Sequence, residues 1–145
     1  MAPWVRRDWT CSVKVEKREA ALILVVEDNL ANQMLAEAVL QGHGYRVNLA
    51  GSAPEALASI ALECPDLILM DIQLPGQDGL SLTRELKADP AQASIPVVAV
   101  TAHAMPKDRQ LSLDAGCIGH ITKPFSGPAF GDQIRGFLQS PTIQV

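Results

Sequence analysis

The chain has 145 residues, of which 48% are hydrophobic and 19% charged, and its formal net charge at pH 7 is −4. This length and composition suit one folded domain with its own apolar core and leave no room for a second full domain. The first 20 residues hold a net charge of +2, so the other 125 residues hold −6. An acidic body argues against nucleic acid as a direct ligand, because phosphate backbones are bound by clustered Lys and Arg.

Residues 1–19 show neither helical nor strand periodicity and are expected to form a flexible N-terminal extension. Residues 20–140 are predicted to form the domain, and residues 141–145 a short tail. The longest apolar run, Ala20 to Val26, is too short to span a membrane, and the N-terminus lacks the apolar stretch of a signal peptide. The three cysteines lack metal-ligand spacing and are expected to be reduced thiols. We therefore expect a cytoplasmic protein without membrane contact.

From Ala20 onward, short apolar runs alternate with longer helical patterns. This alternation predicts five βα units and a parallel sheet covered by helices on both faces. The predicted strands are Leu22 to Val26, Tyr45 to Ala50, Leu67 to Asp71, Ile95 to Thr101 and Ile118 to Thr122. The predicted helices run from about Asn29 to Gly42, Ala53 to Glu63, Leu80 to Ala88, Met105 to Ala115, and from Ser126 onward.

The first helix has the clearest local signals. Asn29 is a good N-cap, and Gly42 ends the helical pattern. Leu30, Met34 and Ala38 lie on one stripe of the helix, as in a helix that packs on a core. For the second helix, Ser52 to Glu55 has the spacing of a capping box, with a proline inside the first turn.

Polar residues stand at the end of four predicted strands. Glu27 and Asp28 follow the first strand, Asp71 ends the third, Thr101 ends the fourth and Lys123 follows the fifth. A doubly wound five-stranded sheet of flavodoxin-like order 2-1-3-4-5 has one reversal of winding, which opens a crevice at its C-terminal edge between the first and third strands. The three acids are therefore expected to share one pocket.

Three carboxylates in one pocket need a positive charge nearby. At an effective dielectric near 20, two like charges ~4 Å apart repel by about 4 kcal/mol. A divalent cation would offset this repulsion, and ligands that are all oxygen favour Mg²⁺. In such a pocket Asp71 is the natural nucleophile for phosphoryl transfer, while Glu27 and Asp28 are better placed to hold the ion and Lys123 supplies a second cation.

Four segments of the chain are similar to the signature segments of one protein family: Val26-Glu27-Asp28-Asn29, Leu69 to Gly76 together with Gly79, Val100-Thr101-Ala102, and Thr122-Lys123-Pro124-Phe125. They resemble those of the receiver domains of two-component response regulators. The resemblance runs from about Leu22 to Leu138 and is closest to short, stand-alone regulators and hybrid-kinase receivers.

The resemblance implies a phosphoacceptor and a metal site. Asp71 would accept a phosphoryl group from a phosphohistidine on a sensor histidine kinase or a histidine phosphotransfer protein. Asp28, Asp71 and the backbone carbonyl of Gln73 would ligate Mg²⁺, and Glu27 would act directly or through water. The chain would thus be a phosphoacceptor that signals to a downstream protein target rather than a turnover enzyme, and we expect a monomer or a weak dimer.

The resemblance also implies a switch. Thr101 would hydrogen-bond the phosphoryl group and Lys123 would contact another of its oxygens, so that the surface of the fourth helix and fifth strand changes. The family usually has a Tyr or Phe three positions before the lysine, where this chain has His120. Because histidine titrates near neutral pH, we predict a mildly pH-dependent output.

Other interpretations of the same residues remain open. Taken alone, Asp71 could begin a turn, and Glu27 to Asn29 could simply cap a helix. The chain could also be a phosphorelay intermediate or a receiver module of a hybrid kinase system. A Mg²⁺-dependent phosphatase of the haloacid dehalogenase type needs a second Asp where this chain has Gln73, and a cap for which no length is left. A non-phosphorylated interaction module would not require all of these polar positions.

Overall fold

The computed structural model describes residues 20–74, 78–102, 106–123 and 128–139. The strands are Leu22–Val26 (β1), Arg46–Ala50 (β2), Leu67–Asp71 (β3), Val97–Thr101 (β4) and Gly119–Thr122 (β5). The helices are Leu30–Gly42 (α1), Ala53–Leu62 (α2), Gly79–Ala88 (α3), Pro106–Ala115 (α4) and Pro128–Gln139 (α5). Strands and helices alternate strictly along the chain, as the sequence predicts.

Several predicted features lie outside the described residues, namely the extension, the tail, and the predicted starts of α4 at Met105 and of α5 at Ser126. Within the described residues, none of the helices is both long enough and apolar enough to cross a membrane.

The five strands form one parallel sheet in the order β2-β1-β3-β4-β5. This is the predicted order, so the doubly wound fold is confirmed. In the register between β1 and β3, Val26 pairs with Met70. Glu27 follows Val26 and Asp71 follows Met70, so these two acids meet at the same edge of the sheet.

Two apolar layers cover the sheet, one on each face. Every residue of β1, β3 and β4 is buried. Leu24 and Ile68 face the layer formed with α2 and α3, whereas Ile23 and Leu67 face the layer formed with α1 and α5. Because both faces of these strands are covered, their sequences are continuous apolar runs and do not alternate.

The face of α1 that packs on the sheet differs from the predicted one. Leu30 is 68% exposed and Met34 is 60% exposed, whereas Ala36 and Leu40 are fully buried. The expectation that Leu30, Met34 and Ala38 face the core is therefore wrong. Apolar residues occur on several sides of this helix, so the periodicity alone offers more than one candidate face, and the packing on the sheet selects among them.

The predicted caps are present and start two helices beside the same edge of the sheet. The Asn29 side chain accepts a hydrogen bond from the backbone N–H of Asn32 at 3.0 Å. Ser52 Oγ accepts from the N–H of Glu55 at 3.4 Å, and Glu55 Oε1 accepts from the N–H of Gly51 at 2.7 Å. Both ends of the Ser52 to Glu55 motif thus bind backbone donors at the start of α2.

The cysteines do not all behave as expected. Cys117 is a buried free thiol, and burial raises its pKa to about 11. Cys64 is disulfide-bonded, so the expectation of three reduced thiols is wrong for this residue. Spacing along the chain does not show which segments meet in the fold, which is what decides a disulfide.

Candidate functional site

Three acidic side chains meet at the C-terminal edge of the sheet. Glu27 and Asp28 follow β1, and Asp71 is the last residue of β3. One carboxylate oxygen of each lies within 4.8 Å of the others. Glu27 is 1% exposed and Asp71 is 4% exposed, whereas Asp28 is open to solvent. The structure thus brings the three predicted acids into one pocket with an accessible side.

Lys123 bridges the two buried acids of this pocket. Its Nζ forms an ion pair with Glu27 Oε1 at 2.8 Å and donates to Asp71 Oδ2 at 3.2 Å. The backbone N–H of Lys123 donates to the carbonyl of Thr101 at 2.8 Å. The end of β5 is therefore tied to the end of β4, and the ammonium group is directed into the acid pocket.

The pocket shifts the pKa values of its two buried acids in opposite directions. Burial, followed by the charge of Glu27, raises the pKa of Asp71 above its usual range, against the opposing effects of the Gln73 N–H and Lys123. Burial also favours a higher pKa for Glu27, but contacts with Lys123 and the Asn29 N–H outweigh it and lower that pKa. Burial lowers the pKa of Lys123, and its two carboxylate neighbours reverse this and raise it. Of the two buried acids, Asp71 is thus the one whose negative charge is less well stabilised.

The loop after β3 is held close to the sheet at Gly79. A Cβ atom on Gly79 would lie 2.1 Å from the carbonyl oxygen of Asp71, so only glycine fits there. The Gly79 N–H donates to the carbonyl of Ile72 at 3.2 Å, and the Ile72 N–H donates to that of Val100 at 3.2 Å. Both contacts hold the backbone at Ile72, directly after Asp71. Gly79 stands in one of the family-like segments, but its sequence position alone did not suggest this close approach.

A second supporting residue, Gln33 of α1, was not foreseen. Its Nε2 donates to the backbone carbonyl of Glu27 at 2.6 Å. The Glu27 N–H donates to Ala50 at 2.9 Å, and its Oε2 accepts from the Asn29 N–H at 3.1 Å. Glu27 is therefore held at its backbone and its side chain. In sequence, Gln33 has no feature that separates it from a solvent-exposed helix residue.

The remaining predicted residues lie on β4, on β5 and directly after β3. Thr101 ends β4 and is buried. Gln73 is exposed, and its backbone N–H donates to Asp71 Oδ1 at 2.9 Å. His120 lies on β5, where it contacts Arg109 of α4 instead of the acids. The structure thus places Thr101, Gln73 and Lys123 beside Asp71 or on the next strand, and His120 on the side of α4.

Comparison with known proteins decides the family. The family model for the response regulator receiver domain matches residues 23–135, which is most of the chain. The chain belongs to this family. Receiver domains are phosphorylated on an aspartate, act as regulatory phosphoacceptors and interact with histidine kinases and downstream targets.

Individual relatives agree with the family assignment. The chain is 42% identical over 116 residues to the polar-differentiation response regulator DivK of Brucella ovis, an alignment that covers 80% of this chain and 94% of the relative. Among solved structures, it is similar to a CheY-like receiver domain protein of Methanospirillum hungatei, with a TM-score of 0.75, 30% identity and coverage of 83% and 95% of the two chains. It is a DivK-like receiver domain with a CheY-like fold.

One solved relative bears on the metal. The receiver domain of the sensor histidine kinase PA1611 of Pseudomonas aeruginosa contains a magnesium ion coordinated in its active-site cleft; it matches with a TM-score of 0.71 and 39% identity over 83% of this chain and 95% of its own. In the present receiver domain, three carboxylate oxygens converge within 4.8 Å, and two of the acids are buried. Hard oxygen donors in this arrangement fit a hard divalent cation.

Proposed function

We propose that this receiver domain accepts a phosphoryl group on Asp71 in a Mg²⁺-dependent reaction and signals by phosphorylation-dependent protein–protein interaction. The observation that supports this most is the position of Lys123, whose ammonium group contacts both buried acids at the end of β3 and β1. A fixed cation beside a buried carboxylate suits an incoming anion. We propose that the domain acts in the cytoplasm as a phosphoacceptor and does not turn over substrate, and that it is a monomer or a weak dimer.

The surroundings of Asp71 suit a nucleophile. Its Oδ1 accepts from the Gln73 N–H and its Oδ2 from Lys123 Nζ, so the carboxylate is held in one orientation. In the transfer, a bond forms between an Asp71 oxygen and phosphorus while the bond from phosphorus to the donor's imidazole nitrogen breaks. The electron pair stays on that nitrogen, and the histidine leaves.

We propose that the same pocket holds the metal ion. Asp28, Asp71 and the backbone carbonyl of Gln73 would hold Mg²⁺, and Glu27 would act directly or through water. When bound, Mg²⁺ would neutralise negative charge on the acids and on the phosphoryl oxygens. Asp28 is exposed, which leaves this side of the pocket open to the ion and to water.

The switch would involve Thr101, Lys123 and His120. A phosphoryl group adds about −1.5 to −2 charges and three strong acceptors. The Thr101 hydroxyl and the Lys123 ammonium group would bind two of those oxygens, and movement of the end of β4 would change the surface that α4 and β5 share. His120 would respond to this movement, because it lines the same narrow gap as Thr101.

The surface beside the pocket supports a protein as the phosphodonor. Helix α1 begins at Leu30, two residues after Asp28, and exposes Leu30 and Met34. Exposed apolar side chains next to a reactive site favour contact with another protein. We propose that a sensor histidine kinase or a histidine phosphotransfer protein docks on this part of α1, and that nucleic acid and membrane are not partners.

Asp71 phosphorylation can be tested with a small phosphodonor. After incubation with acetyl phosphate and Mg²⁺, intact mass measurement should show a phosphoryl adduct on the wild type and none on Asp71→Asn. Asp114→Asn, which changes an exposed acid of α4, should be labelled like the wild type. Equal labelling of Asp71→Asn and wild type would refute the assignment of Asp71.

The role in a pathway needs a second experiment. Phosphotransfer from purified histidine kinases to the wild type, followed by addition of histidine phosphotransfer proteins, separates an end-point switch from a relay intermediate. Loss of the phosphoryl group from the receiver with its gain on a phosphotransfer protein supports the relay, or a receiver module of a hybrid system. Repeated turnover of a generic phosphomonoester would instead favour the aspartate-nucleophile phosphatase.

A further inference from the structure

Arg109 and His120 form a direct contact between α4 and β5. The Nε–H of Arg109 donates to Nε2 of His120 at 3.3 Å. An imidazole nitrogen that accepts a hydrogen bond carries no proton, so this contact favours the neutral ring with its proton on Nδ1. Arg109 thus favours one protonation state and one tautomer of His120.

His120 lines two spaces, a narrow one and a wide one. The narrow one is a gap, shared with Thr101, Asp108, Arg109 and Ser112, that cannot hold a water molecule. The wide one is a cavity of about 630 Å³ between α4 and α5. Gly136 of α5 also lines this cavity, and nothing lies within 4 Å of where its Cβ would be. A His120 ring that is not held therefore has room to move away from Thr101.

We propose that Arg109 is a positioning residue of this switch: it holds the neutral ring of His120 beside Thr101 and releases the ring when His120 is protonated. This inference rests on the proposed function, because the position of His120 matters only if phosphorylation of Asp71 moves Thr101. His120 differs here from a Tyr or Phe at the same position. Neither of those side chains gains a proton near neutral pH, and neither offers Arg109 an Nε2 acceptor.

Burial and the charge of Arg109 favour the neutral ring of His120. From α4, Asp108 and Arg109 line the gap, and from α5, Asp132 lines the cavity, where it is paired with Arg135 at 3.1 Å. Within the described residues, β4 contributes Thr101, which is uncharged, to the gap. Burial, and then the charge of Arg109, lower the pKa of His120 below its ordinary value. Protonation at Nε2 would turn the acceptor into a donor that faces a cation, so the contact would break.

The first test needs no phosphodonor. Imidazole ¹⁵N NMR from pH 5 to 8, with His120 assigned from a His120→Phe spectrum, reports the pKa and the tautomer. The wild type should show a pKa below 6.5 and an unprotonated Nε2. Arg109→Ala should raise the pKa toward 6.5 and mix the tautomers, whereas Lys107→Ala, which removes an exposed charge from the same helix, should change neither. Identical titrations for Arg109→Ala and wild type would overturn the proposal.

The second test connects the contact to phosphorylation. Each variant is labelled with acetyl phosphate and Mg²⁺, the adduct is verified by intact mass, and the His120 resonances are compared before and after labelling at pH 8. The change should be large in wild type and Lys107→Ala, and reduced by half or more in Arg109→Ala, because an unheld ring already samples several positions. An equal change in all three contradicts a positioning role. Absence of the adduct would count against the proposed function and would leave the titration as a separate test of Arg109.

Discussion

Asp71 is a buried carboxylate whose neighbours act on its pKa in opposite directions. Burial and the charge of Glu27 raise the pKa, while the N–H of Gln73 and the ammonium group of Lys123 lower it, and the net effect is a raised value. The folded domain therefore binds this proton more tightly than the unfolded chain does. Ionisation of Asp71 thus reduces the stability of the folded domain as the pH rises through the folded-state pKa, and has no effect at pH values below the unfolded-state pKa.

A neutral side chain at position 71 should stabilise the domain without metal. In the presence of a chelator at pH 7, Asp71→Asn is expected to raise the free energy of unfolding by about 1 kcal/mol, since a raised acid pKa is a stability penalty once the acid is ionised. The Asn side chain still accepts from the Gln73 N–H. The gain should vanish at about pH 2.5, more than one unit below the ordinary pKa of Asp, because Asp71 is then protonated in both states.

Urea denaturation at the two pH values measures this gain. Asp114→Asn serves as the control, because this exposed acid accepts from Gln110 on the same helix and lies outside the pocket. It should show no comparable gain at pH 7. A lower stability of Asp71→Asn than of wild type at pH 7 would mean that the attraction of Lys123 outweighs burial and repulsion from Glu27.

At the scale of elements, the helix caps could be predicted from the sequence, whereas the buried face of α1 could not. The caps at Asn29 and Ser52 depend on a few neighbouring residues, so the sequence predicted where α1 and α2 begin. The buried face of α1 depends on what the helix packs against. The sheet buries Ala36 and Leu40 and leaves Leu30 exposed, which the apolar pattern of the helix did not reveal.

The junction of β3 and α3 gives a prediction about glycine. Gly79→Ala should lower the free energy of unfolding by about 2 kcal/mol, because its Cβ would lie 2.1 Å from the Asp71 carbonyl oxygen and the backbone would have to shift. The same shift should slow labelling of Asp71 by acetyl phosphate. Chemical denaturation and the time course of the adduct measure the two effects.

Gly136→Ala is the matched control for this change. Gly136 lies inside α5, and no atom is within 4 Å of its potential Cβ. Alanine there should stabilise the domain by about 0.5–1 kcal/mol through its better helix propensity. If Gly79→Ala were as stable as Gly136→Ala, the close approach of α3 to Asp71 would not constrain the loop.

At the scale of the whole molecule, the acid pocket connects metal binding to folding. The three carboxylates come from two strand ends that lie together only in the folded sheet. A ligand that binds the folded state alone stabilises it by about 2.7 kcal/mol when its concentration is 100 times its Kd. Mg²⁺ should therefore raise the melting temperature of the wild type, relative to a chelator at matched ionic strength.

Asp28→Asn should lose most of this increase, because it removes a proposed metal ligand. Asp28 is exposed, so the substitution should change the stability in chelator by less than about 0.5 kcal/mol. Asp114→Asn should keep the full response to Mg²⁺. A response of Asp28→Asn equal to that of the wild type would show that the stabilisation by Mg²⁺ does not come from this pocket.

The amino-acid sequence by itself determined the order of the elements and the convergence of Glu27, Asp28, Asp71 and Lys123. Parallel strands end at one edge, so polar residues that follow apolar runs must lie there together. Only the tertiary structure decided which face of α1 is exposed, that Gln33 holds Glu27, and that Arg109 holds His120. Those contacts depend on how helices lie on the sheet, and the side chains of separate elements meet at positions that no local pattern in the sequence encodes.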